Sequence, residues 1–170
     1  MKTLVLLRHG KSSWENAGLR DYDRPLTPRG RGAAELMGEE LRRRGLDFDA
    51  VLSSPARRAT ETLELFEPAF GKPLDIRFDE DVYAASWRTL LKIVQSAERK
   101  ANRLLIVGHN PGLQNLAVEL GGDAEFARHF PTASVAAISL PVKSWRDVRS
   151  GAGTIDLFLK PKDVLARRAA

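Results

Sequence analysis

A chain of 170 residues, 43% hydrophobic, 29% charged and 7% aromatic, can bury one continuous core but leaves no room for a second full domain, so a single domain over 1–170 is expected. Its formal charge of +5, from 27 Lys and Arg against 22 Asp and Glu, is scattered without a basic run interleaved with aromatics; this argues against a nucleic-acid partner and suits an anionic substrate. The absence of cysteine excludes disulfides, thiolate metal sites and a cysteine nucleophile.

Residues 3–7 are apolar or β-branched on both faces, the mark of a central strand in a parallel sheet covered on each side. This run is too short for a signal peptide and no later segment approaches a membrane span, so a cytoplasmic protein with no membrane partner is expected. After a polar loop over 8–26, Thr27-Pro28 reads as a cap with proline at the first helical position. Ala33, Leu36, Met37 and Leu41 then recur at helical spacing, which predicts a helix over 28–44 ending at Gly45.

A short strand at 50–53 is followed by Ser54-Pro55 and a second helix carrying Ala59, Leu63 and Phe66. Residues 74–78 alternate as a third strand. Ser86 caps a helix bearing Leu90, Leu91, Val94 and Ala97, and 104–107 is a fourth, all-apolar strand. At Gly108-His109-Asn110-Pro111 another helix begins, carrying Leu116, Ala117 and Leu120 to Gly121-Gly122. Residues 134–140 and 154–159 read as two strands at the sheet's edges, and 160–170 as a basic, loosely specified tail. Strands alternating with helices predict an α/β fold, a three-layer sandwich whose mostly parallel sheet is flanked by helices.

Ligands of open α/β sheets bind beyond the carboxyl ends of the strands. Three polar clusters fall there: Arg8-His9-Gly10, Ser53-Ser54 with Arg57 and Arg58, and Gly108-His109-Asn110. Two histidines and two or more arginines converging in one crevice, with no cluster of carboxylates to hold a metal, suit an oxyanion such as phosphate. Arg57 and Arg58 stand in the first turn of a helix, where cations oppose the dipole, so at least one serves something other than the helix. His129 has no matching arginine or strand end and receives no role. Asp21, Asp23, Glu80 and Asp81 read as surface carboxylates, any one of which is available as a proton donor.

In order along the chain, Leu7-Arg8-His9-Gly10, Arg24-Pro25-Leu26-Thr27 with Gly30, Ser54-Pro55 with Arg58-Ala59 and Thr62, and Gly108-His109-Asn110-Pro111 resemble the histidine phosphatase superfamily, with its phosphoglycerate mutase-like fold. The short length and Asp21-x-x-Arg24-Pro25-Leu26-Thr27 resemble its SixA-type phosphohistidine phosphatases. The resemblance covers residues 3 to about 159. It implies that His9 is the nucleophile that becomes phosphorylated, that Arg8, Arg58 and His109 complete the phosphate pocket with Asn110 beside them, and that Arg24 adds a substrate contact. It selects Arg58 over Arg57, and it implies neither cofactor nor metal.

In phosphoglycerate-mutase-like members a mid-chain glutamate protonates the departing alkoxide. The stretch holding Glu80 and Tyr83 resembles it but lacks the glycine-rich continuation, which leaves Glu80 as the candidate acid. Without an acid, a leaving group with the pKa of imidazole, about 6.5, departs far more readily than an alkoxide. The expected substrate is therefore phosphohistidine on a protein, with inorganic phosphate as product. A small-molecule phosphomonoesterase of the same fold, or a non-catalytic phosphate-binding module, are the alternatives, and the oligomeric state is left open.

Overall fold

Every strand that is apolar on both faces lies inside the sheet. The computed structural model describes residues 1–122, 125 and 128–170. It arranges β1 (Lys2–Arg8), β2 (Ala50–Ser53), β3 (Ile76–Phe78), β4 (Arg103–Gly108), β5 (Val135–Leu140) and β6 (Thr154–Leu159) in one sheet of order β3-β2-β4-β1-β5-β6. The pairings β2–β3, β2–β4 and β1–β4 are parallel, whereas β5 runs antiparallel to both β1 and β6.

Alternation along β1 and β4 builds the two faces. Leu4, Leu6, Leu104 and Ile106 point to one side, where Leu90 and Val94 of α3 (Trp87–Gln95) and Leu113, Leu116 and Leu120 of α4 (Gly112–Gly121) cover them. Val5, Leu7, Leu105 and Val107 point to the other. There they meet Met37 and Leu41 of α1 (Pro28–Arg43) and Leu63 and Phe66 of α2 (Arg57–Phe70). The caps are as the sequence suggests: Thr27 accepts from the Gly30 N–H at 3.0 Å and Ser86 from the Thr89 N–H at 3.2 Å.

Three features differ from the sequence reading. β5 is not an edge, because it lies between β1 and β6 with Val135, Ala136, Ala137 and Ile138 all buried; only β6 closes that side, opposite β3. The connection from β5 to β6 carries the fully buried Trp145, whose Nε1 donates to the Ala101 carbonyl at 2.7 Å. The basic tail is a helix, α5 (Pro161–Ala169), whose Val164 joins the α1–α2 side of the core and whose Arg168 pairs with Glu39 and Glu40. Burial of one apolar side chain and two ion pairs to α1 explain its docking better than its own composition does.

Candidate active site

The register of the parallel strands brings the first and last polar clusters together. Arg8 at the end of β1 pairs with Gly108 at the end of β4, so His9 and His109 leave neighbouring strands side by side, their ring centroids 5.1 Å apart. Ser53 ends β2 on the other flank of β4, and Arg58 follows in the first turn of α2. A cavity of about 400 Å³ opens there, lined by Arg8, His9, Arg24, Arg58, His109 and Asn110, by Tyr83, and by residues to which the sequence reading gives no role: Ser12, Trp14 and Thr132.

Backbone packing fixes the loop that carries His9. A Cβ on Gly10 would lie 2.6 Å from the Gly30 carbonyl oxygen, and one on Gly30 would lie closer still to the Lys11 carbonyl oxygen. The first turn of α1 therefore packs against this loop at a distance only glycine permits. Thr62 Oγ1 accepts from the Gly10 N–H at 3.0 Å and donates to the Arg58 carbonyl at 2.6 Å, tying the loop to α2. Ala84 and Ala133 hold the left-handed conformation, at φ 54° and 59°. Ala84 lines the cavity, while the Ala133 N–H donates to both the Arg8 and His9 carbonyls. Strained alanines beside a cleft are characteristic of functional sites.

His9 Nδ1 lies 2.7 Å from the Gly10 carbonyl. A carbonyl only accepts, so Nδ1 carries the proton and Nε2 keeps a free lone pair. Burial, reinforced by His109, Arg58 and Arg8 against the Gly10 bond, pushes His9 down to about 3. His109 is lowered to about 4 by burial and then by Arg58, with Arg8 and Arg24 adding and Asp21 opposing. Both imidazoles are neutral at pH 7. His109 Nε2 meets Ser54 Oγ at 2.7 Å, while its Nδ1 is buried without a protein partner.

Asp21 organises the far wall. Its carboxylate accepts from Tyr83 Oη at 2.7 Å, from Arg58 Nη2 at 3.0 Å and from Arg24 Nη2 at 3.1 Å, and its carbonyl accepts from Arg58 Nη1 at 2.7 Å. The Tyr83 bond first, with Arg58 and Arg24, holds the carboxyl at about 2 against partial desolvation, so Asp21 is ionised and is no proton donor at neutral pH. Arg24 is fastened further by Ser12 Oγ at 2.7 Å and stacks on Trp14, its Cζ 3.5 Å from the ring centroid.

Among the remaining residues named from the sequence, Arg8 donates from Nη1 to the Phe130 carbonyl at 3.0 Å. Asn110 donates to the same carbonyl at 2.9 Å and accepts from the Gln114 N–H, so its side chain shapes the wall while spending its polar groups on protein partners. Arg57 points away and pairs with Glu61 at 2.6 Å. Glu80 is exposed, is absent from the cavity wall and accepts from Tyr22 Oη at 3.0 Å. The helical turn carrying it (Glu80–Val82) places Tyr83, not Glu80, against the pocket, with Tyr83 edge-on to His109 at 5.5 Å.

The wall therefore carries four cations, Arg8, Lys11, Arg24 and Arg58, and one carboxylate, Asp21, a net charge of +3. Arg8 Nε, Arg58 Nε and His109 Nδ1 are buried without protein partners. Buried polar groups are ordinarily satisfied, so three unpartnered nitrogens beside one cationic cavity set this place apart from the rest of the core. Among the described residues no three His, Cys, Asp or Glu side chains gather as a metal cluster would require.

The two depressed histidines predict a pH dependence of stability. Between about pH 6.5 and 4 the unfolded chain protonates both imidazoles and the native state protonates neither, so stability falls as the pH drops through this window, by up to about 2.7 kcal/mol per pH unit. Urea unfolding of His9→Asn is expected to show about half the wild-type slope between pH 6.5 and 5. An unchanged slope would mean that His9 is not held neutral by the fold.

The family model of the histidine phosphatase superfamily (branch 1) matches residues 4–87. An uncharacterized protein of Mycobacterium tuberculosis is 35% identical over 164 residues, covering 92% of this chain and all of the other. A proposed SixA phosphohistidine phosphatase from Agrobacterium tumefaciens superposes with a TM-score of 0.80 at 29% identity, over 94% of this chain and 98% of the other. Its proposed counterpart from Nakamurella superposes with a TM-score of 0.82, also at 29% identity, over 94% and 96%. At 23% identity, a SixA structure holding tungstate shares the fold, with a TM-score of 0.81 over 95% and 99%.

Proposed function

The chain belongs to the histidine phosphatase superfamily and is a phosphatase, and from that premise we propose that it removes phosphoryl groups from phosphohistidine carried on proteins. The observation that carries this reading is that, among the described residues, no neutral carboxyl group stands in the wall of a pocket otherwise suited to phosphoryl transfer. Asp21 is held ionised, the two histidines are held neutral, and Glu80 stands outside the wall. Such a site serves a leaving group that departs unassisted. Imidazole, with a pKa of about 6.5, does so once its second nitrogen has taken a proton from solvent; a sugar alkoxide does not.

In this mechanism His9 Nε2 attacks phosphorus in line. The P–N bond of the substrate breaks, its electron pair returns to the departing nitrogen, and neutral imidazole leaves. The Gly10 carbonyl keeps the Nδ1 proton of His9 in place, so the phosphorylated ring is itself a good leaving group. Water then attacks, the P–N pair returns to Nε2, a water proton passes to solvent, and inorganic phosphate departs with His9 in its starting tautomer. Arg8, Arg58 and His109 bind the equatorial oxygens throughout, and cations fixed before reaction are worth most where charge is shielded from water. Arg24, stacked on Trp14 at the rim, contacts the substrate next to the phosphoryl group.

The test is a panel in which a phosphohistidine protein, a sugar phosphate, a nucleotide and an aryl phosphate are offered at equal concentration. kcat/KM is expected to be highest for the phosphohistidine protein and lowest for the alkyl esters, by a factor of about 10² or more. Preference for the sugar phosphate would transfer the assignment to a small-molecule phosphomonoesterase.

A further inference from the structure

A second cavity, of about 340 Å³, shares Lys11 and Thr132 with the reaction pocket and lies beside it, between the first turns of α1 and α5. Arg29, Lys160, Lys162 and His129 line it, with Asp163 as the carboxylate in its wall. Lys160 approaches Glu125 at 3.4 Å and Asp163 at 3.6 Å, distances at the weak end of pairing. Arg29 and Lys162 are exposed, and neither forms an ion pair among the described residues.

The position of these cations is what needs explaining. Arg29 is the second residue of α1 and Lys162 the second of α5, and α1 has no acidic residue in its first turn. A cation there faces the positive end of the helix dipole and lowers helix stability by a few tenths of a kcal/mol. In α1 nothing in the first turn offsets this cost, in α5 Asp163 offsets it in part, and both helices turn the cation toward one cavity. The cavity adjoins the pocket of His9 at Lys11 and Thr132, so a chain whose phosphohistidine sits in that pocket can lay its neighbouring residues across these cations.

We propose that this basic cavity binds acidic side chains flanking the phosphohistidine, and so selects protein substrates whose reactive histidine lies in an Asp- or Glu-rich segment. The inference rests on the protein-substrate reading above. Exposed cations of this kind act on encounter and on affinity rather than on chemistry, through a field that salt screens within about 10 Å. A small phosphoryl donor fills only the reaction pocket and does not feel them.

The test is the double variant Arg29→Glu with Lys162→Glu. Each substitution places a carboxylate where the helix dipole favours one, so the variant is expected to fold with an unchanged or raised unfolding temperature. Its kcat/KM on an aryl phosphate is expected to stay within twofold of wild type. With a phosphohistidine peptide rich in glutamate, kcat/KM is expected to fall at least tenfold, and the wild type's loss of rate between 20 and 200 mM salt to disappear. An unphosphorylated poly-glutamate decamer, competing against the aryl phosphate, is expected to inhibit wild type at least tenfold better than the variant.

This last measurement is independent of the phosphohistidine assignment. If wild type ignores the phosphohistidine peptide yet the decamer still discriminates the two proteins, the substrate reading fails and the acidic-segment site stands. Equal inhibition of both proteins overturns the site. So does equal loss on the aryl phosphate, or a short inorganic polyphosphate that discriminates them while the decamer does not, an outcome that would place a second phosphate of a small substrate in the cavity.

Discussion

Replacing His9 by alanine is expected to abolish phosphoryl-enzyme formation and turnover together, with kcat reduced by at least about 10⁴. Its ring is the group whose free nitrogen lone pair is presented among four cations, with the tautomer set by the Gly10 carbonyl at 2.7 Å. His109 does not substitute for it, because its Nε2 is engaged with Ser54 Oγ at 2.7 Å and its Nδ1 is buried. Rapid mixing with a phosphohistidine donor, quenching in base, and intact-mass measurement with peptide mapping read the adduct directly. Wild type is expected to show one transient added phosphoryl group on His9 and the variant none. An adduct on any other residue, or turnover by the variant, would place the nucleophile elsewhere, and phosphate binding without turnover by wild type would leave only a binding module.

The second large effect separates two adjacent arginines. Arg58→Ala is expected to lower kcat/KM by about 10² to 10³, the cost of removing one fixed donor to a developing phosphoryl charge. Its guanidinium is buried, with Nε unpartnered and both Nη atoms held by Asp21. Arg57→Ala loses only a half-exposed pair with Glu61, worth about 0.3–0.5 kcal/mol, and turnover within twofold of wild type is expected. Arg58→Lys keeps the charge but not the fork that Asp21 holds, and is expected to recover only part of the loss. Equal defects at 57 and 58 would mean that the first turn of α2 meets substrate through both side chains.

These expectations draw on features of unequal legibility. The central strands are visible as runs apolar on both faces, and the helix starts as Thr27-Pro28 and Ser86, because period and capping act over four residues or fewer. The placement of Arg8, His9 and His109 at one sheet edge follows from the same local reading, since parallel strands of an α/β sheet present their carboxyl ends together. β5 is not placed correctly by the sequence reading: residues 134–140 suggest an edge, and only the pairing with β6 on the side away from β1 puts Val135 to Ile138 in the interior.

The electrostatic wiring had no local signal. Asp21 reads in the sequence as an ordinary loop carboxylate, yet it meets Arg58 across 37 residues and Tyr83 across 62. Glu80 and Tyr83 lie in one short turn, and only the direction in which that turn packs decides that Tyr83 faces the pocket while Glu80 meets Tyr22. Trp14, nothing more than an apolar residue in a polar loop, becomes the platform for Arg24 because Ser12 and Asp21 hold the guanidinium over its ring. Arg29 and Lys162 share a cavity only because α5 docks on α1 through Val164 and Arg168.

The sequence by itself determined the α/β sandwich and the strand ends that carry His9 and His109, since alternation, helical period and caps are short-range and each is written in a few neighbouring residues. Only the tertiary structure decided which carboxylate is ionised inside the pocket, that Glu80 stands outside its wall and that a second cationic cavity opens beside it. Those are matters of side-chain direction, burial and distance between charges far apart in the chain, and they exist only once the helices have packed against the two faces of the sheet.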